Sequence, residues 1–201
     1  MPPMTQNSSP LWGIMGGIFD PIHFGHLILA ESALAEHNFN KILFIPAFNP
    51  AHRAEKPVAS FEDRCMMARL ATESNEKFEV SDLEKDLKSP GYTLAIVDFL
   101  RLKYPKVEWR LILGADNIAQ FDGWHKPEEL LDRVKIVVGM RPGFENDFAR
   151  SRWADKVEIF KMPLIEISST AVRKAVREEK SIRYLLPEDV RQFILSRGLY
   201  R

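Results

Sequence analysis

Cysteine is nearly missing from this chain: Cys65 stands alone among 201 residues. No internal disulfide can form, which fits a reducing cytoplasm. Phe61, Ala68 and Thr72 flank Cys65 at helical spacing, so it reads as a buried structural thiol rather than a nucleophile. An excess of either charge is also missing, with 28 basic and 28 acidic residues. No overall field then draws the chain to nucleic acid or to an anionic membrane, although local basic clusters can still hold phosphates. No apolar run approaches the roughly 20 residues of a membrane span. Positions 1–10 lack the charged and apolar regions of a secretory signal and are expected to form a flexible tail, followed by one domain over 11–201. There is no internal repeat, no low-complexity stretch and no closed His/Cys set for zinc. Neither the Gly-x-Gly-x-x-Gly dinucleotide fingerprint nor a Walker loop is present.

What is present is an alternation of short apolar runs with amphipathic segments. The runs at 11–15, 41–45, 78–80, 108–113, 135–140 and 157–160 read as strands. Residues 27–36 read as a helix with Leu27, Ala30, Leu34 and Ala35 on its inner face and His37 on its surface. Ser60 followed by Asp63 starts a helix running to about residue 74, and Thr93 is placed as the N-cap of another that ends before Pro105. Pro127 opens a short helix, Ser168 or Ser169 caps one reaching about residue 178, and 187–196 forms the last, closed by Gly198. This pattern predicts an α/β fold, a doubly wound and mostly parallel sheet with a C-terminal helical extension.

In such sheets ligands bind beyond the carboxyl ends of the strands. Five stretches fall on that rim: 16–26, 49–53, 114–116, Arg141 and 168–173. The first, Gly16-Gly17-Ile18-Phe19-Asp20-Pro21-Ile22-His23-Phe24-Gly25-His26, is a strand, a tight loop and a helix start. That geometry sets backbone N–H groups and a helix dipole against an anion. Gly16 and Gly17 leave the backbone open to a ligand, and His23 and His26 offer N–H donors beside it. A tight turn with two incidental histidines is the ordinary alternative. Gly-Gly, Asp-Pro and His-x-Gly-His within one turn favour the anion site. Ser168, Ser169 and Thr170 repeat the arrangement at a second helix start, with Arg173 one turn along to hold phosphate bidentately. A serine cap with a surface arginine is the ordinary alternative there.

The first stretch resembles the His-x-Gly-His signature of the nucleotidylyltransferase superfamily, and Ile167-Ser168-Ser169-Thr170-Ala171-Val172-Arg173 is similar to that superfamily's second element. Over 11–200 the chain resembles bacterial nicotinate-mononucleotide adenylyltransferases. The likeness includes Tyr92-Thr93, Leu113-Gly114-Ala115-Asp116, Trp124-His125, Arg141-Pro142-Gly143 and Gly198-Leu199-Tyr200. The family's usual Pro-Pro-His-Lys stands here as Pro50-Ala51-His52-Arg53. The resemblance implies a Rossmann-like nucleotidyltransferase fold and transfer of the adenylyl group of ATP to nicotinate mononucleotide, with Mg²⁺ bridging the ATP phosphates. It implies that Gly16, Gly17, Ile18, Phe19, Gly114 and Asp116 hold the nucleoside of ATP. His23, His26, Ser168, Ser169, Thr170 and Arg173 would lie along its phosphates, with His23, His26 and Arg173 as the catalytic set. It assigns Tyr92, Thr93, Trp124 and His125 to the mononucleotide, with His52, Arg53 and Arg141 as phosphate or rim contacts. Trp124 suits a flat pyridinium ring, although a lone tryptophan more often packs a core. The implied partners are small molecules, and a homo-oligomer is compatible with them. The alternatives are nicotinamide mononucleotide or phosphopantetheine as acceptor, or a nucleotide-binding module without catalysis.

Overall fold

Alternate residues of a strand face opposite sides of a sheet, so a run that is apolar throughout requires cover on both faces. In the computed structural model, which describes residues 9–50, 56–87, 91–140 and 148–201, six strands form one sheet. They are β1 (Leu11–Gly17), β2 (Lys41–Pro46), β3 (Phe78–Val80), β4 (Glu108–Gly114), β5 (Lys135–Met140) and β6 (Glu158–Lys161). All pairings are parallel, in the order β3-β2-β1-β4-β5-β6, with the apolar runs at the centre of the sheet and the mixed sequences of β3 and β6 at its edges.

The register sorts the core by parity. Leu43, Ile14, Leu111 and Ile136 stand side by side across four strands and belong to one buried cluster. Their successors Phe44, Met15, Ile112 and Val137 belong to the other. The first cluster is covered by α3 (Thr93–Lys103) through Leu94, Val97 and Leu100 and by α5 (Pro127–Arg133) through Leu130. The second is covered by α1 (Phe24–His37), α2 (Phe61–Thr72) and α7 (Glu188–Arg197), through Ala30, Ala33, Met67, Ala68, Val190 and Ile194. Two short helices remain at the strand ends, α4 (Ala115–Ala119) and α6 (Ser169–Arg177). Chain direction across the sheet reverses between β1 and β4, which opens a crevice at their carboxyl ends.

Several local expectations shift. α1 starts at Phe24, not residue 27, because Gly25 sits inside the helix instead of breaking the chain before it. Its inner face is therefore Leu29, Ala30, Ala33 and Leu34, and Ala35 is exposed. His37 is not a surface residue: its side chain is only 16 % exposed, with its ring against Phe39 and edge-on to Phe160. The last turn of α1 packs on β6 there. Tyr92, not Thr93, occupies the N-cap of α3. Ser60 caps α2 by accepting the Asp63 N–H at 3.0 Å, as its spacing suggested. Most of the expected tail, residues 1–8, lies outside the described residues.

Phe44 is fully buried in β2, with its ring against Phe19 and Phe78. Phe44→Ala is expected to cost about 3–5 kcal/mol in urea unfolding, whereas Leu102→Ala on the exposed side of α3 should stay within about 0.5 kcal/mol.

Candidate active site

The crevice between β1 and β4 holds a cavity of about 370 Å³. Its walls are the backbone of Gly16, Gly17, Ile18, Phe19 and Asp20; His23 and His26; Gly114, Asp116 and Asn117 after β4; and Ser168, Ser169, Thr170 and Arg173 at the start of α6. Lys56 and Pro57, from the connection between β2 and α2, complete it. The two helix mouths singled out in the sequence thus open on one space.

Local chemistry fixes the first mouth. His23 is the extended N-cap of α1 and is buried, with its ring 3.8 Å from that of His26. The His23 backbone N–H donates to His26 Nδ1 at 3.3 Å. Since Nδ1 accepts, the proton of a neutral His26 ring resides on Nε2. Gly25 explains the residue between the histidines: a Cβ there would stand 3.0 Å from Cε1 and Nδ1 of His23. At Gly16 a Cβ would meet nothing within 4 Å, so the strand end is open where it lines the cavity.

The second mouth is bonded to the first. Ser169 Oγ donates to the Pro21 carbonyl at 2.8 Å, and Arg173 Nη1 donates to the Asp20 carbonyl at 2.7 Å. Ser168 Oγ accepts the Ala171 N–H and so caps α6. Arg173 retains further N–H groups beyond those directed at Asp20 and at Thr170 Oγ1. Among the described residues the site therefore concentrates donors in a crevice whose acidic lining is Asp116 and Asp20, and the Asp20 carboxyl is already engaged.

That engagement was not visible in the sequence. Asp20 is 4 % exposed and accepts the N–H groups of Val58 and Ala59 at 2.7 and 3.1 Å, and the Tyr200 hydroxyl at 2.8 Å. Burial first, then Asp20, pushes the Tyr200 phenol well above its ordinary range, so it remains a donor. Arg64, 1 % exposed on α2, donates through Nη1 to the Ile18 carbonyl at 2.7 Å. Glu84, 3 % exposed, accepts the Phe48 N–H at 2.9 Å and the Asn49 N–H at 3.4 Å. Burial raises the Glu84 carboxyl above its ordinary value, against the pull of those N–H groups.

Tyr92, Thr93, Trp124 and His125 do not line the 370 Å³ cavity. Tyr92 and His125 pair with each other instead, their rings stacking at 4.0 Å and 11°. Trp124 is half-buried against Phe121 at the edge of the core. His52, Arg53 and Arg141 lie outside the described residues. Among the described residues no group of three or more His, Cys, Asp or Glu is placed to hold a metal ion, and no helix is long and apolar enough to cross a membrane.

Residues 14–175 match the family described as cytidylyltransferase-like. The chain is 42 % identical over 197 residues to a Moorella thermoacetica protein named probable nicotinate-nucleotide adenylyltransferase, covering 94 % of this chain and 91 % of that one. It is 38 % identical over 195 residues to a Rubrobacter xylanophilus protein of the same name, with the same coverage. Among solved structures it resembles the Plasmodium falciparum nicotinic acid mononucleotide adenylyltransferase complexed with NaAD. That match has a TM-score of 0.75 at 21 % identity, covering 95 % of this chain and 97 % of that one, and it speaks to the fold alone.

Two outcomes follow from this geometry. Gly25→Ala should weaken binding of a non-hydrolysable ATP analogue about 10-fold by calorimetry, through displacement of His23. Its thermal midpoint should hold or rise, since alanine outranks glycine in a helix by about 1 kcal/mol. Glu84 favours its neutral form in the fold, so its contribution to stability is complete below its ordinary 4.5 and is lost as pH rises through the elevated value. Glu84→Gln should flatten that limb of the stability–pH curve, measured by urea unfolding from pH 4.5 to about pH 7.

Proposed function

The chain belongs to the nicotinate-nucleotide adenylyltransferases of the cytidylyltransferase-like family, and from that premise we propose that it transfers the adenylyl group of ATP to nicotinate mononucleotide, yielding nicotinate adenine dinucleotide and pyrophosphate. One observation carries the assignment of the ATP site: two helix N-termini joined by Arg173–Asp20 and Ser169–Pro21 hydrogen bonds around a single cavity.

A phosphate oxygen of the mononucleotide attacks the α-phosphorus in line. The new P–O bond forms as the bond from the α-phosphorus to the bridging oxygen breaks, and pyrophosphate carries away the electron pair. No protein nucleophile is needed. The work is positioning and stabilisation of charge on oxygens already aligned. His26, with its donor on Nε2, and His23 beside it face the α- and β-phosphates. Arg173 and the α6 mouth take the β- and γ-oxygens. Mg²⁺ carried by ATP would offset charge on the phosphates, held by the substrate rather than by a protein cage, since no group of three or more His, Cys, Asp or Glu is placed to hold a metal among the described residues. Gly16, Gly17, Ile18, Phe19, Gly114 and Asp116 flank the nucleoside. Tyr92, Thr93, Trp124 and His125 serve the mononucleotide, with the stacked Tyr92–His125 pair supplying a flat face for its ring. A single buried thiol suits the reducing cytoplasm in which these substrates are found.

Pyrophosphate release with ATP and each of nicotinate mononucleotide, nicotinamide mononucleotide and phosphopantetheine tests the acceptor. Turnover should favour the nicotinate form, and equal turnover with the amide would end that assignment. His26→Ala should reduce kcat about 10²–10³-fold with an unchanged thermal midpoint. A matching loss of stability would identify His26 as a packing residue instead.

A further inference from the structure

A buried arginine is a poor way to stabilise a fold. Removing a guanidinium from water costs several kcal/mol, and apolar residues of similar size often serve as well or better. Arg64 is 1 % exposed, its Nη1 meets one neutral carbonyl, and its Nε finds no acceptor among the described residues. Its burial therefore calls for a reason other than stability, and its neighbours supply one.

The carbonyl Arg64 holds is that of Ile18, in the wall of the ATP cavity. A trans peptide directs its N–H opposite its carbonyl, so fixing Ile18 also fixes the direction of the Phe19 N–H, away from Arg64. The two buried acids within electrostatic reach of Arg64 are Asp20 and Glu84. Each holds one end of the connection between β2 and α2: Glu84 takes the N–H groups of Phe48 and Asn49, and Asp20 takes those of Val58 and Ala59. The Asn49 carbonyl in turn lies against Gly91, where φ is +67° and a Cβ would collide with that carbonyl and stand 2.8 Å from Glu84 Oε1. Gly91 leads directly into Tyr92 and Thr93. One guanidinium thus bonds the phosphate loop directly and lies within electrostatic reach of the two acids that hold the ends of the β2–α2 connection, of which Glu84 also borders Gly91.

We propose that Arg64 is a positioning residue that sets the ATP loop and the acceptor loops in register with each other, acting through the Ile18 carbonyl and through Asp20 and Glu84. The assignment of Tyr92 and its neighbours to the acceptor rests on the function proposed above; the ATP side of the coupling does not. Burial pulls the Arg64 guanidinium below its ordinary value, and Asp20, followed by Cys65, Tyr200 and Glu84, pushes it back.

The test compares wild type, Arg64→Met, Arg64→Lys and Glu84→Gln by calorimetry with a non-hydrolysable ATP analogue and with nicotinate mononucleotide, alongside steady-state kinetics and thermal unfolding. Arg64→Met should weaken both ligands and lower kcat, each by about 10–10²-fold, because loops displaced by a fraction of an ångström misalign the reacting atoms. Arg64→Lys should recover part of both losses. Glu84→Gln should raise the mononucleotide KM about 10-fold while leaving ATP affinity within about 3-fold. Arg64→Met with wild-type affinities, whatever its thermal midpoint, overturns the proposal. If Arg64→Met does not fold, Glu84→Gln decides, and equal effects on both ligands or none overturn it. Failure of wild type to bind nicotinate mononucleotide overturns the acceptor reading alone. The ATP-analogue arm then decides Arg64, with loss in Arg64→Met supporting the coupling and unchanged affinity refuting it.

Discussion

The structure depends on one aspartate. Through its carboxyl, Asp20 takes two backbone N–H groups at the end of the β2–α2 connection and the hydroxyl of Tyr200 near the C-terminus; through its carbonyl it takes Arg173 from α6. A buried carboxylate with its lone pairs filled is acceptable in a core, and one stripped of partners is not. Asp20 therefore enforces agreement among parts of the chain that no local preference would bring together. The loop after β1 is held in its form by residues 58–59, 173 and 200 together.

This accounts for how a sheet of ordinary design yields a specific site. The parity of the strands sorts Ile14 and Met15 to opposite layers, and the reversal between β1 and β4 opens the crevice. Those features alone place some ligand there. What suits the crevice to the proposed polyphosphate is that a helix from far along the chain is tied across it. Ser169 and Arg173 bond to carbonyls of residues 20–21 and so aim their remaining donors, and the N-terminus of α6, at the space that α1 already faces.

Much of this was legible in the sequence because it is local. The apolar run 135–140 coincides with β5, Ser60 caps α2 through Asp63, and the three stretches at Gly16, Gly114 and Ser168 meet at one cavity. The misplacements are also local. Gly25 resembles a break but lies inside a helix, where its missing Cβ makes room for the His23 ring, so α1 begins at Phe24 and Ala35 faces outward. His37 ends a polar-looking turn, yet β6 comes up beneath it. What could not be read were Asp20, Arg64, Glu84 and Tyr200 as a group. Their partners lie from 35 to 180 positions away, and neither period nor spacing encodes such pairings. A charged residue at position 64 of an amphipathic pattern suggests a solvated face; only the fold shows it beneath the loop it holds.

Buried polar residues outside the reacting centre carry a general consequence for such an enzyme. Catalysis by alignment tolerates little play, and neither hydrophobic packing nor helix propensity fixes the orientation of an individual peptide group. Directional bonds do. Each of the four buried residues holds a specific backbone group or carboxyl: Arg64 the Ile18 carbonyl, Glu84 the Phe48 and Asn49 amides, Asp20 the Val58 and Ala59 amides, and Tyr200 the Asp20 carboxyl itself. The backbone that lines the cavity from Gly16 to Asp20 is then held from below. The cost of burying two acids, a cation and a phenol is met by the layers of aliphatic and aromatic residues on either side of the sheet, and in return the loops that must meet two substrates share a common foundation.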